Sequence, residues 1–163
     1  MTISQEQFKQ AMGSFPTGVT VTTSYSDAGE VVGMTASAFS SVSLDPFLVL
    51  MCPAKDADCY QPLTEASYFS VHLLAGNQVT LARQFAKSGI DKTIGLEISQ
   101  GPSGSPKIRG CLAYLECRHH ALYDGGDHGI LVGEVTHIEF SGGTRDPLVY
   151  CKSALGPLPA IGT

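Results

Sequence analysis

The chain has 163 residues, of which 43% are hydrophobic and 15% are charged, and its formal net charge is −5. This length and composition fit one globular domain with its own core and exclude a disordered chain. The acidic balance and the absence of any Lys/Arg run argue against nucleic acid and anionic membranes as partners. The polar start lacks the pattern of a signal peptide, and no apolar run approaches the roughly 18 residues of a membrane span.

The first predicted element is an amphipathic helix that begins at Ser4 and ends before Pro16. Ser4 and Gln7 have the spacing of a capping box. Pro16 ends the helix because it has no N–H and restricts the residue before it. Apolar residues recur at i, i+3, i+4 and i+7 on one face of this helix: Phe8, Ala11, Met12 and Phe15.

Most of the remaining chain has the pattern of short strands, because 18 glycines and nine prolines indicate many turns. Strands are predicted over 18–25, 31–35, 47–52, 68–74, 111–123, 129–140 and 148–150. The 47–52 strand is apolar on both faces, which predicts burial on both sides or a subunit contact on one of them. The two long strands should form a β-hairpin around the turn at 124–128.

Short helices are expected over 60–66 and 78–87, a loop-rich connection over 89–110, and a loose tail over 156–163. About seven strands with flanking helices indicate a mainly β fold, and closing them into a β-barrel would remove exposed edges. No linker or repeat interrupts residues 1–163, so we expect a single domain.

The five cysteines are odd in number and include no C-x-x-C pair, so neither a disulfide framework nor a metal site is expected. Cys52, Cys111 and Cys117 lie in apolar segments and are predicted to be small buried residues in a reducing cytoplasm. The sequence also has no GxGxxG, P-loop, HExxH or GxSxG motif. Any nucleotide is therefore bound without a Rossmann domain.

The segment from Gly33 to Phe39 combines small and hydroxyl residues. Small residues let a flat ring lie against the backbone, where N–H groups reach ring heteroatoms. The local pattern alone favours a different interpretation, a strand that ends in a polar, Ser-rich loop.

Several isolated residues are candidates for ligand contacts. His128 follows an acidic, glycine-rich turn and could contact a substrate, although the pattern alone favours a solvated turn residue. His72 lies within a predicted strand, where it is either a core residue or a site residue. Candidate phosphate contacts are Lys55, Arg83 and Arg109, with a solvated surface as the alternative.

Six collinear stretches between residues 5 and 152 point to one family. They are FPTGVTVTT at 15–23, GMTASAFSSVSLDP at 33–46, FSVHLL at 69–74, LARQFA at 81–86, LEC at 115–117, and GDH at 126–128 followed by VGEV at 132–135. Together they resemble the short-chain flavin reductases, which have an FMN-binding split-barrel fold of Greek-key-like type. This family includes the reductase components of two-component flavin-dependent monooxygenases.

The resemblance implies a role for each matching position. The flavin ring would lie against Met34, Thr35, Ala36, Ser37 and Ala38. The ribityl chain and phosphate would lie in the Cys52–Cys59 loop, which contains Lys55 and Ala57. The pocket would be completed by His72, Leu73, Arg83 and Phe85. The nicotinamide would be oriented by His128, the catalytic candidate. Members of the family that the chain resembles usually carry Ser or Thr near position 57 and Asn at position 72, and the choice between FMN and FAD stays open.

The resemblance also implies an activity, which is hydride transfer from NADH or NADPH to FMN or FAD. The expected partners are a second copy of the chain in a homodimer and a separate flavin-dependent oxygenase that receives diffusing reduced flavin. The expected location is the cytoplasm. The alternative is a flavin-, deazaflavin- or haem-binding split-barrel protein that does not reduce free flavin.

Overall fold

The computed structural model describes residues 2–142 and 145–158, and most of the regular structure in them is strand. The helices are α1 (Gln5–Gly13), α2 (Tyr60–Glu65) and α3 (Val79–Phe85). The strands are β1 (Thr17–Gly18), β2 (Thr20–Tyr25), β3 (Val31–Ala36), β4 (Phe39–Leu44), β5 (Phe47–Met51), β6 (Tyr68–Leu73), β7 (Ile98–Gln100), β8 (Pro106–Ile108), β9 (Ala113–Gly125), β10 (His128–Phe140), β11 (Leu148–Cys151) and β12 (Ala154–Pro157). None of the helices in these two ranges is long and apolar enough to cross a bilayer.

Seven strands form the main sheet, which is antiparallel and has the order β3-β2-β6-β9-β10-β5-β4. Its two edge strands, β3 and β4, are neighbours in the chain and are separated only by Ser37 and Ala38. Three Cα–Cα steps span at most about 11 Å, so the sheet must curl until its edges almost meet. The predicted mainly β fold with flanking helices is therefore confirmed. The barrel is open between β3 and β4 rather than closed, because no ladder joins these two fully described strands.

Two apolar clusters make up the core. One lies on the β5, β6, β9 and β10 side of the sheet and includes Phe69, Leu63 and Leu131, which are almost fully buried. Burying each such side chain contributes roughly 1.5–3 kcal/mol. Gly133 makes room for Phe69, because a Cβ at Gly133 would lie 2.5 Å from its Cζ. The second cluster joins α3 to β2 and β11, and so fixes the helix beside β3.

The expected Ser-rich loop after the Gly33 strand is wrong, because Phe39–Leu44 forms strand β4. Ser40 pairs with Leu50 and Ser41 with Val49 on β5. Both serines are exposed. An edge strand tolerates polar side chains on its solvent face, so hydrophobic alternation could not reveal it.

The expected loose tail is wrong at its start, because Gly156 and Pro157 belong to β12 and pair with β11. Residues 159–163 lie outside the described residues. The 89–110 connection, expected to be loop-rich, contains the short antiparallel strand pair β7 and β8. The long hairpin is confirmed, with its turn narrowed to Gly126 and Asp127.

The cysteines are unpaired in the structure. Cys111 and Cys117 are buried as predicted, and burial raises the pKa of their thiols, to about 11 and about 12 respectively. Cys52 is only half-buried, because it stands just beyond the end of β5.

Candidate functional site

A cleft of about 770 Å³ lies between β3, residues 57–59 and residues 85–93. Small-molecule sites in proteins usually measure roughly 300–1,000 Å³, so the cleft can hold a cofactor. β3 is an edge strand, so alternate N–H and C=O groups on its free side have no partner in the sheet. A flat ligand with heteroatoms along one edge could bind to these backbone groups.

Five of the predicted cofactor-binding residues line this cleft: Met34, Thr35, Ala57, Cys59 and Phe85. The hydroxyl of Thr35 donates a hydrogen bond of 2.6 Å to the carbonyl of Ala82 on α3. This bond attaches β3 to α3 and leaves the Thr35 oxygen able only to accept from a ligand. Thr35 therefore holds two walls of the cleft together.

The other small residues of the Gly33–Ala38 segment surround the opening of the barrel. The carbonyl of Ala36 accepts a 2.9 Å hydrogen bond from Thr20 on β2. Ser37 and Ala38 are exposed and form the link between the two edges. A Cβ at Gly33 would lie only 2.3 Å from the carbonyl oxygen of Thr22, so close packing of β3 on β2 requires this glycine. Gly33 therefore lacks a side chain because of strand packing within the sheet.

The loop after β5 is attached to the tip of the β9–β10 hairpin. The N–H of Gly129 donates to the carbonyl of Pro53 at 2.9 Å, and the N–H of Lys55 donates to the carbonyl of Asp127 at 3.0 Å. The loop that was predicted to hold the phosphate therefore runs from the hairpin tip at one end to the cleft at Ala57.

His128 stands beside this junction at the start of β10 with a half-exposed side chain. Its Nδ1 lies 2.7 Å from Oδ1 of Asp127. A carboxylate only accepts, so Nδ1 carries the proton and Nε2 is the ring nitrogen offered to a ligand. The ammonium of Lys55 is paired with the Asp124 carboxylate, beside the tip and away from the cleft lining.

His72 is fully buried in β6. Its Nδ1 donates to the carbonyl of Val21 at 3.0 Å, and its Nε2 accepts from the N–H of Ile108 at 3.0 Å. Burial lowers the pKa of His72 to about 4, so the ring is neutral at pH 7. Both ring nitrogens are used inside the core, away from the cleft lining.

Two further predicted residues also lie outside the cleft lining. Leu73 is half-buried and packs against the core cluster. Arg83 is exposed on α3 and does not line the cleft, although Phe85 on the same helix does.

The segment from Ala86 to Thr93 lines the cleft, and the sequence analysis did not identify it. It contributes the basic residues Lys87 and Lys92 to the lining, to which the loop after β5 contributes Asp58. The segment has no helical or strand periodicity. The only local signal is that it follows directly after α3.

These features define a class of protein, a small open β-barrel domain with a ligand cleft along its free edge strand. The family model described as "Flavin reductase like domain" matches residues 12–159, and the chain belongs to this family. The chain is 41% identical to FMN reductase (NADH) SmoA of Agrobacterium fabrum, over 94% of this chain and 86% of that protein. It is 34% identical to the flavin-dependent monooxygenase reductase subunit HsaB of Rhodococcus jostii, over 91% of this chain and 75% of the relative.

A solved structure has the same fold. The NADH:FAD oxidoreductase SgcE6 of Streptomyces globisporus, in complex with NAD and FAD fragments, superposes with a TM-score of 0.88 at 37% identity. The superposition covers 98% of this chain and 97% of that one. Some other curated relatives are longer than the matched region, and the chain spans 58% of one and 43% of another.

Proposed function

We propose that this chain is a flavin reductase that transfers hydride from NADH to FMN or FAD. The observation that carries the proposal is the 770 Å³ cleft along β3, in a chain of the flavin reductase family. The relatives named as an FMN reductase and as an NADH:FAD oxidoreductase support both flavins as substrates.

The cleft offers suitable contacts for a flavin. The free edge of β3 supplies backbone donors and acceptors for the polar rim of the ring, and Met34 and Phe85 supply apolar surface. Ser37 and Ala38 would contact the ring at the opening of the barrel. The Cys52–Cys59 loop would contact the ribityl chain. Flavin, when bound, supplies the hydride acceptor, and the protein supplies the position and the electrostatic environment.

The nicotinamide would be held by His128. Nδ1 of His128 is fixed by Asp127, so Nε2 is oriented for a polar group of the ligand. Hydride transfer depends mainly on close and aligned approach of the two rings, so the role assigned to His128 is orientation.

The reduced flavin would diffuse to a separate flavin-dependent oxygenase in the cytoplasm. The support for this partner is the relative from Rhodococcus jostii, which is named as the reductase subunit of a flavin-dependent monooxygenase.

The functional unit would be a homodimer. α1 buries none of its residues; Phe8 and Met12 on its apolar face are 59% and 55% exposed, and Phe15, just after the helix, is 69% exposed. Leu44 and Phe47, beside the β4–β5 turn, are 85% and 62% exposed. Apolar surface of this extent is unfavourable in water, and a second copy of the chain would cover it. Light scattering of the wild type and of the Phe8→Ser and Phe15→Ser variants measures the oligomeric state. A monomeric wild type contradicts the dimer.

A kinetic matrix of NADH and NADPH against FMN, FAD and riboflavin tests the function. We expect flavin-dependent oxidation of NADH, and His128→Ala should lower kcat/KM for NADH about tenfold or more. His120→Ala, which changes another exposed histidine of the same hairpin, is the matched control and should be unaffected. No turnover with any pair contradicts the proposal, and a yellow protein after gel filtration would then favour a tightly held flavin.

A further inference from the structure

The cleft wall that follows α3 has little apolar support of its own. The stretch 86–97, all of which is described, contains no helix or strand. None of residues 86–95 is buried, and Ile90 and Ile94 are 42% and 68% exposed. Because this stretch buries so little apolar surface, polar contacts must hold it against the cleft.

Within this stretch, residues 91–94 form a compact turn. The Asp91 carboxylate accepts hydrogen bonds from the N–H and the hydroxyl of Thr93, at 2.8 and 2.6 Å. Gly89 and Gly95, on either side of the turn, have φ angles of +68° and +74°, which glycine adopts without strain. The 91–94 turn is therefore a compact unit between two flexible points of the backbone.

Gln84 on α3 holds both ends of this turn. Its Nε2 donates to the carbonyl of Lys92 at 2.9 Å and to the carbonyl of Ile94 at 3.0 Å. A side-chain amide nitrogen has two N–H donors, so both are used. The backbone of Gln84 is firmly placed, because the next residue, Phe85, is 1% exposed in the core. One side chain thus connects the core of the domain to the turn.

Gln84 reaches the turn from behind the cleft wall. It lines a second hollow of about 580 Å³ between α3, residues 94–97 and residues 108–110. It is not among the described residues that line the cleft itself, whereas Asp91, Lys92 and Thr93 are. A ligand in the cleft would therefore meet the turn, and any effect of Gln84 on that ligand would pass through the position of the turn.

Two other contacts attach the same stretch. The ammonium of Lys92 donates to the carbonyls of Phe85 and Lys87 at the end of α3. The N–H of Gly89 donates to the Asp58 carboxylate at 3.3 Å. Of these contacts, those from Gln84 are made to the backbone of the turn itself, so they fix the turn and not only a side chain.

We infer that Gln84 is a positioning residue that keeps the 91–94 turn closed over bound flavin and so sets the rate of flavin exchange. This inference rests on the proposed function, because it assumes that the cleft holds a flavin. A reductase that passes reduced flavin to another enzyme must open its site in every cycle, and such opening limits the rate of many enzymes. Two hydrogen bonds to a turn between two glycines can break and re-form without disturbing the core.

The test measures the association and dissociation rate constants of FMN and riboflavin by stopped-flow fluorescence, without nicotinamide. Gln84→Glu keeps the size of the side chain but its carboxylate has no donor, and Gln84→Ala removes the side chain beyond Cβ. A turn that opens more often both admits and releases flavin faster. Both rate constants should therefore rise about tenfold in both variants, while the Kd changes by less than about twofold. Riboflavin, which has no phosphate, should respond as FMN does.

Gln100→Glu is the matched control. It makes the same change of charge at an exposed residue of β7, outside the cleft lining, and should leave both rate constants unchanged. Hydrogen exchange provides a second measurement. The amides of residues 86–95 should exchange faster in the two Gln84 variants than in the wild type, whereas those of α3 should not change.

Three outcomes would overturn the inference. A rise in the dissociation rate constant alone, with a matching rise in Kd, means that Gln84 shapes the binding surface and does not control opening. Wild-type rate constants in both variants mean that the turn does not limit exchange. A change for FMN but not for riboflavin means that the effect depends on the phosphate.

The same measurements separate this inference from the proposed function. Faster flavin exchange in the Gln84 variants of a protein that oxidises neither nicotinamide would support the inference and contradict the function. Wild-type exchange in a Gln84→Ala enzyme that oxidises NADH would contradict the inference alone.

Discussion

Two polar clusters lie at opposite ends of the long β9–β10 hairpin, in opposite environments. The base cluster lies near the start of β9 and consists of Ser70, Ser103, Ser105, Tyr114 and Glu116. The tip cluster lies at the turn and consists of Lys55, Asp124, Asp127 and His128. Glu116 is 0% exposed, whereas the side chains of His128 and Asp127 are 43% and 93% exposed.

Hydrogen bonds of similar length have different consequences in the two clusters. Ser105 donates to Glu116 at 2.8 Å in the base cluster, and His128 lies 2.7 Å from Asp127 in the tip cluster. Water can replace a broken hydrogen bond at the tip but not at the base. Changes in the base cluster should therefore lower the free energy of unfolding, whereas changes in the tip cluster should affect ligand binding.

The base cluster attaches the β7–β8 segment to the main sheet. The N–H of Ser103 lies 3.0 Å from both carboxylate oxygens of Glu116, and the hydroxyl of Tyr114 lies 3.4 Å from one of them. Gly101 allows this approach, because a Cβ there would lie 1.9 Å from the Tyr114 hydroxyl. The carboxylate is the centre on which all these donors converge.

The largest expected effect is therefore that of Glu116→Ala. It removes the acceptor of the hydrogen bonds from the buried hydroxyls of Ser105 and Tyr114 and from the N–H of Ser103, and should lower the free energy of unfolding by about 4 kcal/mol. Denaturant unfolding measures the loss. Glu97→Ala, which removes an exposed carboxylate paired with exposed Arg109, is the control and should leave the midpoint unchanged. A Glu116→Ala protein with the wild-type midpoint would contradict the distinction between base and tip.

The second effect is a loss of stability in acid, and it involves His72. The His72 ring lies against the ring of Tyr114 in the base cluster, with centroids 5.5 Å apart and the two planes tilted by 46°. Burial lowers the pKa of His72 from 6.5 to about 4, so the unfolded chain binds its proton first as the pH falls. Stability should fall by about 3 kcal/mol between pH 6.5 and pH 4. Removing the titrating ring in His72→Asn should flatten this part of the profile.

The carboxylate of Glu116 acts in a different pH range. Burial raises its pKa, but the hydrogen bonds from Ser105 and Ser103 outweigh burial and the pKa is lowered overall. Its contribution to stability is present above pH 4.5 and is lost as the pH falls below that value. Unfolding curves between pH 7 and pH 5 therefore report the contribution of His72 separately from that of Glu116. If the free energy of unfolding of His72→Asn fell with pH in this range as steeply as that of the wild type, the loss could not be assigned to His72.

Signals that are local in the sequence predicted the local structure. The capping box of α1 involves residues three apart, and the long hairpin joins two strands that are consecutive in the chain. The family motifs also placed Met34, Thr35 and Phe85, whose positions in the cleft follow from their alignment with the fold.

Contacts between distant parts of the chain could not be predicted in this way. His72 is in the core because of Val21 and Ile108, which are 51 and 36 residues away. Lys92 lies in the cleft because α3 carries its segment against residues 57–59, and no periodic pattern marks that packing. β4 is a strand because β5 pairs with it, although its own residues are polar.

The smallest expected effect is that of the Lys55–Asp124 ion pair in the tip cluster. Both side chains are exposed, so Lys55→Met and Asp124→Asn should leave the unfolding midpoint unchanged. Each should raise the KM for NADH about threefold, because the pair fixes the loop after β5 against the turn that carries His128. The double variant should then be no worse than either single variant, and high salt should reduce the difference from wild type, since exposed pairs are screened. Additive increases in KM would mean that the two side chains act independently, and a lowered midpoint would place the tip cluster among the determinants of stability.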